Sequence, residues 1–104
     1  MKRIAFKMKL KPGFIEEYRD RHDRIWPELT KLLNEVGISD YSIYLDPDSL
    51  TLFAVQVQQD NYVGNNLSEH PIMKRWWRYM SDIMECNEDF SPKESLLEQV
   101  FYLP

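Results

Sequence analysis

The hydrophobic periodicity of the chain changes several times between steps of two and steps of three to four, which constrains the fold more than any other feature. Residues 2–10 alternate apolar and polar side chains, a pattern that predicts a half-buried strand. Residues 14–36 then repeat apolar side chains at three- and four-residue steps, which predicts a helix with a stop at Gly37.

Pro27 lies inside this predicted helix. Proline donates no backbone hydrogen bond, and its ring crowds the carbonyl four residues earlier. We therefore expect a kink or a break between Asp23 and Trp26. The break would fall just after His22, one of only two histidines in the chain.

The second half of the chain continues the alternation of strands and helices. Residues 40–45 and 50–58 predict two strands, and the turn sequence at 46–49 predicts that they form a hairpin. A last strand is predicted at 96–103.

Two further helices are predicted between the hairpin and the last strand. Asp60 is a suitable cap for a short helix to about Leu67. Pro71 suits the first position of a stronger helix, whose apolar stripe extends to Ile83 and Met84.

The resulting order, β-α-β-β-α-β, is the ferredoxin-like split β-α-β plan. It predicts a single α+β domain over 1–104, with helices on one face of an antiparallel sheet. Because the third predicted strand is apolar on both faces, the uncovered face needs a cover. A second copy packed sheet on sheet would provide it, so we expect a homodimer.

The amino-acid composition limits the classes of partner and cofactor that the chain is expected to bind. The formal net charge of −4 and the pI of about 5.1 argue against a nucleic acid or an anionic membrane as partner. The single cysteine, Cys86, forms no intrachain disulfide and suits a reducing cytoplasm, the expected location. No HExxH motif, paired Cys/His spacing or glycine-rich loop occurs, so we expect neither a metal nor a nucleotide cofactor.

Tyr18 and His22 are four residues apart, so their side chains lie on one helix face. An imidazole exchanges protons near neutral pH, and a neighbouring phenol makes a proton-handling pair. The same spacing also occurs at the boundary of an ordinary amphipathic helix, and taken alone it favours that interpretation.

Aromatic side chains supply the other candidates. Trp76 and Trp77 point about 100° apart on a helix, so one can lie in the core while the other lines a cavity or an interface. Tyr41 shares an apolar strand face with Ile43, and its hydroxyl needs a ligand or a buried water as partner. For all three residues the structural and the functional interpretations stay open at this point.

Four segments together resemble the L-rhamnose mutarotase family. They are YRDRHDRIWPEL at 18–29, YSIYLD at 41–46, RWWRYM at 75–80 and VFYLP at 100–104. The resemblance covers the whole chain, and it is the joint presence of the segments that is specific. Arg24 departs from the pattern, because the family often has a proline there.

The resemblance implies a dimeric α+β barrel that interconverts the α and β anomers of L-rhamnose without a cofactor. His22 matches the family's acid/base histidine, and Tyr18, Tyr41, Trp76 and Trp77 match its sugar-contacting residues. We expect His22 to protonate the ring oxygen during ring opening and to recover the proton on closing.

Two other uses of such a scaffold are a cofactor-free monooxygenase and a sugar-binding module without catalysis. The combination of Tyr18 and His22 with two tryptophans argues against both. A pure binding module has no need of a proton donor on its pocket wall.

Overall fold

The computed structural model describes residues 1–104 and contains a four-stranded antiparallel sheet in the order β2-β3-β1-β4. The strands are β1 (Lys2–Lys9), β2 (Ile38–Asp46), β3 (Thr51–Gln58) and β4 (Ser95–Leu96). The helices are α1 (Ile15–Asp23), α2 (Pro27–Glu35), a 3₁₀ helix (Gly64–Glu69) and α3 (Pro71–Met80). The predicted α+β class, with helices packed on one face of the sheet, is confirmed.

The register of the sheet separates its two faces. Phe6 lies opposite Ala54 and Met8 opposite Leu52, and these four side chains face the helices. They are joined by buried side chains from α2, from α3 and from the chain that follows α3. The largest fully buried side chains of the whole core are Leu10, Leu29, Leu52 and Ile83. Each such side chain contributes about 1.5–3 kcal/mol to folding.

The predicted break before Pro27 is confirmed. Helix α1 ends at Asp23, and α2 begins with Pro27 at its first position, where a missing N–H costs nothing. Trp26 has an extended backbone between them. The chain therefore turns directly after His22, and α1 is free to lie at its own angle to the sheet.

The predicted short helix with an Asp60 cap is wrong in its start and its type. The backbone N–H of Val63 donates to the carbonyl of Val36, which holds the segment before it in a turn. The helix that follows is the 3₁₀ helix Gly64–Glu69. The Asp60 carboxylate contacts the amino group of Met1 instead of capping a helix.

The helix at Pro71 is confirmed, but it ends at Met80 rather than continuing through the whole predicted stripe. Ile83 and Met84 are buried in the turn beyond it. Met84 pairs with Leu10 in an isolated bridge. Its apolar side chain is therefore buried by a contact with a distant segment, although in the sequence it looked like part of the helical pattern.

The predicted last strand at 96–103 is largely wrong. Only Ser95 and Leu96 pair with β1, and one further bond joins the Leu97 N–H to the Ala5 carbonyl. Beyond that point no neighbouring strand is available, and Phe101 is 77% exposed. No helix in the protein is both long enough and apolar enough to span a bilayer.

Candidate active site

A cavity of about 1060 Å³ lies between the sheet and the helices. Its volume is near the upper end of the range for small-molecule sites. All five side chains singled out in the sequence line it, although they come from three separate elements. They are Tyr18, His22, Tyr41, Trp76 and Trp77.

Tyr18 and His22 form one wall of the cavity from α1. Their rings stack with centroids 4.2 Å apart and planes 28° from parallel. The Nδ1 atom of His22 lies 3.1 Å from the backbone carbonyl oxygen of Tyr18. Because a carbonyl oxygen only accepts, Nδ1 carries the proton in this bond and Nε2 is left with a free lone pair.

The surroundings of His22 favour its neutral form. Burial lowers the pKa of His22 below 6.5, while the bond to the Tyr18 carbonyl and the charge of Asp23 oppose this shift. At neutral pH the side chain therefore offers an unprotonated Nε2, which is a base.

The two tryptophans of α3 both reach the cavity. Trp76 is only 6% exposed, and its ring meets the His22 ring edge to face at 5.5 Å. Trp77 is half-buried and packs against the margin of the core. From the sequence, one tryptophan was expected in the core and the other at a cavity or an interface. This holds only in part, because Trp76 lies in the core and also lines the cavity.

Tyr41 is brought to the cavity by an irregularity in β2. The register with β3 shifts between Ser39 and Ser42, and Asp40 has a φ of +46°, so the strand bulges here. The Tyr41 ring meets Phe6 at 6.5 Å, edge to face. Although the residue is 39% exposed, it lines the cavity.

The surroundings of the two phenols favour their protonated form. Burial, helped by the charge of Glu94 and opposed by a hydrogen bond with Gln56, raises the pKa of Tyr41 to about 12. Burial, with the nearby Tyr41, also raises the pKa of Tyr18 well above its usual value. Both hydroxyls therefore act as hydrogen-bond donors at neutral pH rather than as exchangers of protons.

Several polar residues of the cavity were not predicted, and Gln56 and Glu94 are two of them. Gln56 is buried at 6% exposure, in the position of β3 that follows Leu52 and Ala54 on the helix-facing side. A polar residue at the end of such an apolar series is the signal that could have revealed it. Glu94 lies in the irregular segment before β4, where no periodicity shows which way a side chain points.

Arg21, next to His22, ties α1 to the end of α3. Its guanidinium donates to both carboxylate oxygens of Asp82, at 2.8 and 3.2 Å, and to the carbonyl of Tyr79 at 2.7 Å. A further bond reaches Glu17 at 3.1 Å. The side chain is 11% exposed, and its contacts fix the wall that carries His22 against the helix that carries the tryptophans.

The remaining histidine has a structural place. His70 caps α3, because its Nδ1 accepts the backbone N–H of Ile72 at 3.2 Å. No group of three or more His, Cys, Asp or Glu side chains in the protein is arranged to hold a metal ion.

The fold and the cavity together define a small α+β protein whose aromatic pocket holds a buried, neutral histidine. Within that class the chain belongs to the L-rhamnose mutarotase family, because the family model of that description matches residues 3–103.

Individual relatives agree with this assignment. The L-rhamnose mutarotase of Flavobacterium johnsoniae is 55% identical over 101 residues, covering 97% of this chain and 94% of the relative. That of Brucella anthropi is 53% identical over 102 residues, covering 98% and 96%. The crystal structure of L-rhamnose mutarotase from Formosa agariphila matches with a TM-score of 0.93 and 45% identity, over 100% of both chains.

Proposed function

We propose that this protein interconverts the α and β anomers of L-rhamnopyranose by acid–base opening and closing of the sugar ring. Family membership over nearly the whole chain supports the reaction. The observation that carries the mechanism is the bond from His22 Nδ1 to the Tyr18 carbonyl, which leaves Nε2 as a base in an aromatic cavity.

Mutarotation moves protons and transfers no electrons. Opening the ring removes the proton of the anomeric hydroxyl and adds one to the ring oxygen. The aldehyde then rotates about its bond to C2, and the ring closes on the other face. In our proposal the neutral His22 takes the anomeric proton through Nε2 and returns it on closing. This role differs from the one expected from the sequence, in which His22 protonates the ring oxygen, because a neutral imidazole accepts a proton before it donates one.

The aromatic side chains suit the rest of the sugar. The indoles of Trp76 and Trp77 offer flat apolar surfaces for the C–H face of the ring and for its C6 methyl group. The hydroxyls of Tyr18 and Tyr41 donate hydrogen bonds to sugar oxygens. A contact with one methyl group is worth about 1–3 kcal/mol, so a 6-deoxy sugar of other configuration is expected to react more slowly rather than to be excluded.

The direct test is NMR saturation transfer between the two anomers of L-rhamnose at catalytic protein concentration. Wild-type protein should accelerate exchange, and His22→Gln should lose about 10²–10⁴-fold in rate. His70→Asn is the matched control, because it replaces the other histidine with a residue that also caps helices. Unaccelerated exchange with the wild-type protein would disprove the activity.

The alternative functions give different results in the same samples. A binding module would show sugar-dependent tryptophan quenching without faster exchange. A monooxygenase would consume oxygen with an aromatic substrate.

We also propose a homodimer of the dimeric α+β barrel type. The support comes from the sheet face away from the helices, where Phe53 is 37% and Tyr44 62% exposed. The C-terminal segment adds Val100, Phe101 and Leu103, each at least 77% exposed. Apolar surface of this extent is typical of an interface.

The proposed location is the cytoplasm. Support comes from the single cysteine, which is free and half-buried, as is usual where thiols stay reduced. Fractionation of cells that express the protein, followed by immunodetection, tests this proposal.

A further inference from the structure

We propose that Gln56 is a positioning residue of the sugar site, which holds the Tyr41 hydroxyl so that its proton is donated to a sugar oxygen in the cavity. The inference rests on the mutarotase activity proposed above. It deepens that proposal, because it gives a reason for a polar side chain in the core and a direction to one of the sugar contacts.

Gln56 is the only buried residue of the chain with a carboxamide or a charged group. It shares the helix-facing side of β3 with Leu52 and Ala54, where an apolar side chain would pack without loss. A buried carboxamide is unfavourable unless its donors and acceptors find partners. Because Gln56 also lines the cavity, we looked for its partners there.

The bulge of β2 places Tyr41 beside Gln56. The partners of Ser39 and Ser42 on β3 are separated by a single residue, Gln56. Asp40 and Tyr41 therefore both lie opposite Gln56, the arrangement that defines a bulge. The pairing of the backbone thus brings the two side chains together at one point of the sheet.

The ring of Tyr41 lies across β3 on the side that faces the helices. It meets the ring of Phe6 at 6.5 Å, although β3 separates β2 from β1. Ala54, opposite Phe6, has the smallest side chain on this face of β3 and leaves room for the ring. Gln56 follows Ala54 on the same face, so its side chain lies next to that of Tyr41.

The hydrogen bonds of Gln56 define which group donates. Its Oε1 atom accepts a bond from Nε2 of Gln58 at 3.3 Å, which orients the carboxamide. Its own Nε2 atom can only donate. The hydrogen bond between Gln56 and Tyr41 opposes the rise in the pKa of Tyr41, as a bond donated to the phenol oxygen does. The Tyr41 oxygen therefore accepts, and its proton is left for another partner.

That proton is available to a ligand in the cavity. Tyr41 comes from the sheet and Tyr18 from α1, and both line the same space. Tyr41 also contributes to the raised pKa of Tyr18, so the two phenols act on each other across it. Sugar oxygens accept hydrogen bonds, and a donor of fixed direction helps to give the sugar one orientation relative to His22.

The test is a double-mutant cycle on KM for L-rhamnose, measured by anomer exchange. Gln56→Met keeps the length of the side chain and removes the bond, and Tyr41→Phe removes the hydroxyl. We expect each variant to raise KM on the order of tenfold with little change in kcat, because a binding contact is lost. The double variant should have the same KM as Tyr41→Phe, because Gln56 acts through the hydroxyl that is already absent.

Gln59→Met is the matched control. Gln59 also bonds a residue of β2, with its Nε2 atom 2.6 Å from Oγ of Ser39, but it does not line the cavity. Its KM should equal that of the wild type. A Gln56→Met protein with a lower melting temperature and the wild-type KM would reduce Gln56 to a structural residue and overturn the proposal.

A direct contact between Gln56 and the sugar gives a different result. The rise in KM of the double variant would then be the product of the two single rises, which would also overturn the proposal. The dissociation constant of rhamnose, from tryptophan fluorescence, repeats the cycle without catalysis. If the wild type binds rhamnose but does not accelerate exchange, the proposed activity fails, and the cycle on the dissociation constant still decides the role of Gln56.

Discussion

His22 shows how three neighbours define the chemistry of one side chain. The Tyr18 carbonyl selects the tautomer, the Tyr18 ring stacks on one face of the imidazole, and Trp76 meets its edge. Burial removes water from the charged form and lowers the pKa of His22. A histidine that looks ordinary in the sequence is thereby held as a neutral, oriented base.

The first prediction concerns pH. Because the folded protein holds His22 with a lowered pKa, the neutral form, which acts as the base in the proposed mechanism, predominates at neutral pH. It is lost as pH falls through that pKa, below 6.5. We expect kcat/KM to decline only in this acid range. Rates of anomer exchange between pH 4.5 and 8 test this, and an acid decline centred above 6.5 would contradict it.

The lowered pKa of His22 also makes the free energy of unfolding depend on pH. Between the lowered folded pKa and the unfolded value of about 6.5, the unfolded chain binds more protons at His22 than the folded chain does. The free energy of unfolding therefore rises with pH across this window. Denaturant unfolding of the wild type and His22→Gln should show this rise only in the wild type, and an equal rise in both would contradict the linkage.

The two roles of Tyr18 can be separated. Tyr18→Phe keeps the stacked ring and the backbone carbonyl but removes the hydroxyl. Since the tautomer of His22 depends on the carbonyl, the pH dependence of kcat/KM should be unchanged. KM should rise on the order of tenfold for one lost hydrogen bond. If anomer exchange instead shows that the acid decline of kcat/KM moves to another pH, the hydroxyl itself affects the pKa of His22.

At the scale of elements, α1 is short and polar, and only Tyr18 among its residues is buried. Apolar burial therefore anchors it weakly, and Arg21 supplies the missing attachment. Asp82, the main partner, is 64% exposed, which limits the strength of the ion pair.

We predict that Arg21→Ala lowers the free energy of unfolding by about 1 kcal/mol. It should also lower kcat more than that loss of stability explains, because His22 loses its fixed position against Trp76. Arg19→Ala is the matched control, since Arg19 lies on the same helix and is 61% exposed. Equal effects of the two variants on kcat, measured at full folding, would contradict the positioning role.

The pair also has a pH signature. The bond from Arg21 lowers the pKa of Asp82. The contribution of this ion pair to the free energy of unfolding is therefore complete above the pKa of Asp in the unfolded chain, about 3.9. It is lost as pH falls through the lower pKa of Asp82 in the folded protein. Acid unfolding followed by circular dichroism should show a smaller stability loss in this range for Asp82→Asn than for wild type.

Most elements could be predicted from the sequence because their periodicity is local. The break at Pro27 follows from the missing N–H of one residue, and Pro71 marks the start of α3 for the same reason. Three other features depend on contacts between distant segments. They are the bulge that turns Tyr41, the ion pair between Arg21 and Asp82, and the position of Glu94. The segment after Leu96 is rich in apolar side chains, as strands often are, but it has no neighbouring strand within the chain.

For the whole molecule, the apolar sheet face and the exposed C-terminal segment bear on the proposed dimer. We predict that Phe53→Glu shifts the protein toward monomer, because the charge would have to be buried at the interface. Lys31→Glu, exposed on α2, is the control. Sedimentation velocity measures both, and a wild-type monomer at micromolar concentration would disprove the dimer.

The edge-to-face contact of Trp76 with His22 should make the emission of this tryptophan sensitive to the charge on the imidazole. A protonated imidazole 5.5 Å from an indole places a positive charge beside the ring that fluoresces, and such a charge perturbs its excited state. Trp76 would thus report the protonation state of His22. The emission of Trp76, isolated by Trp26→Phe and Trp77→Phe, would follow the charge of His22 without any added probe.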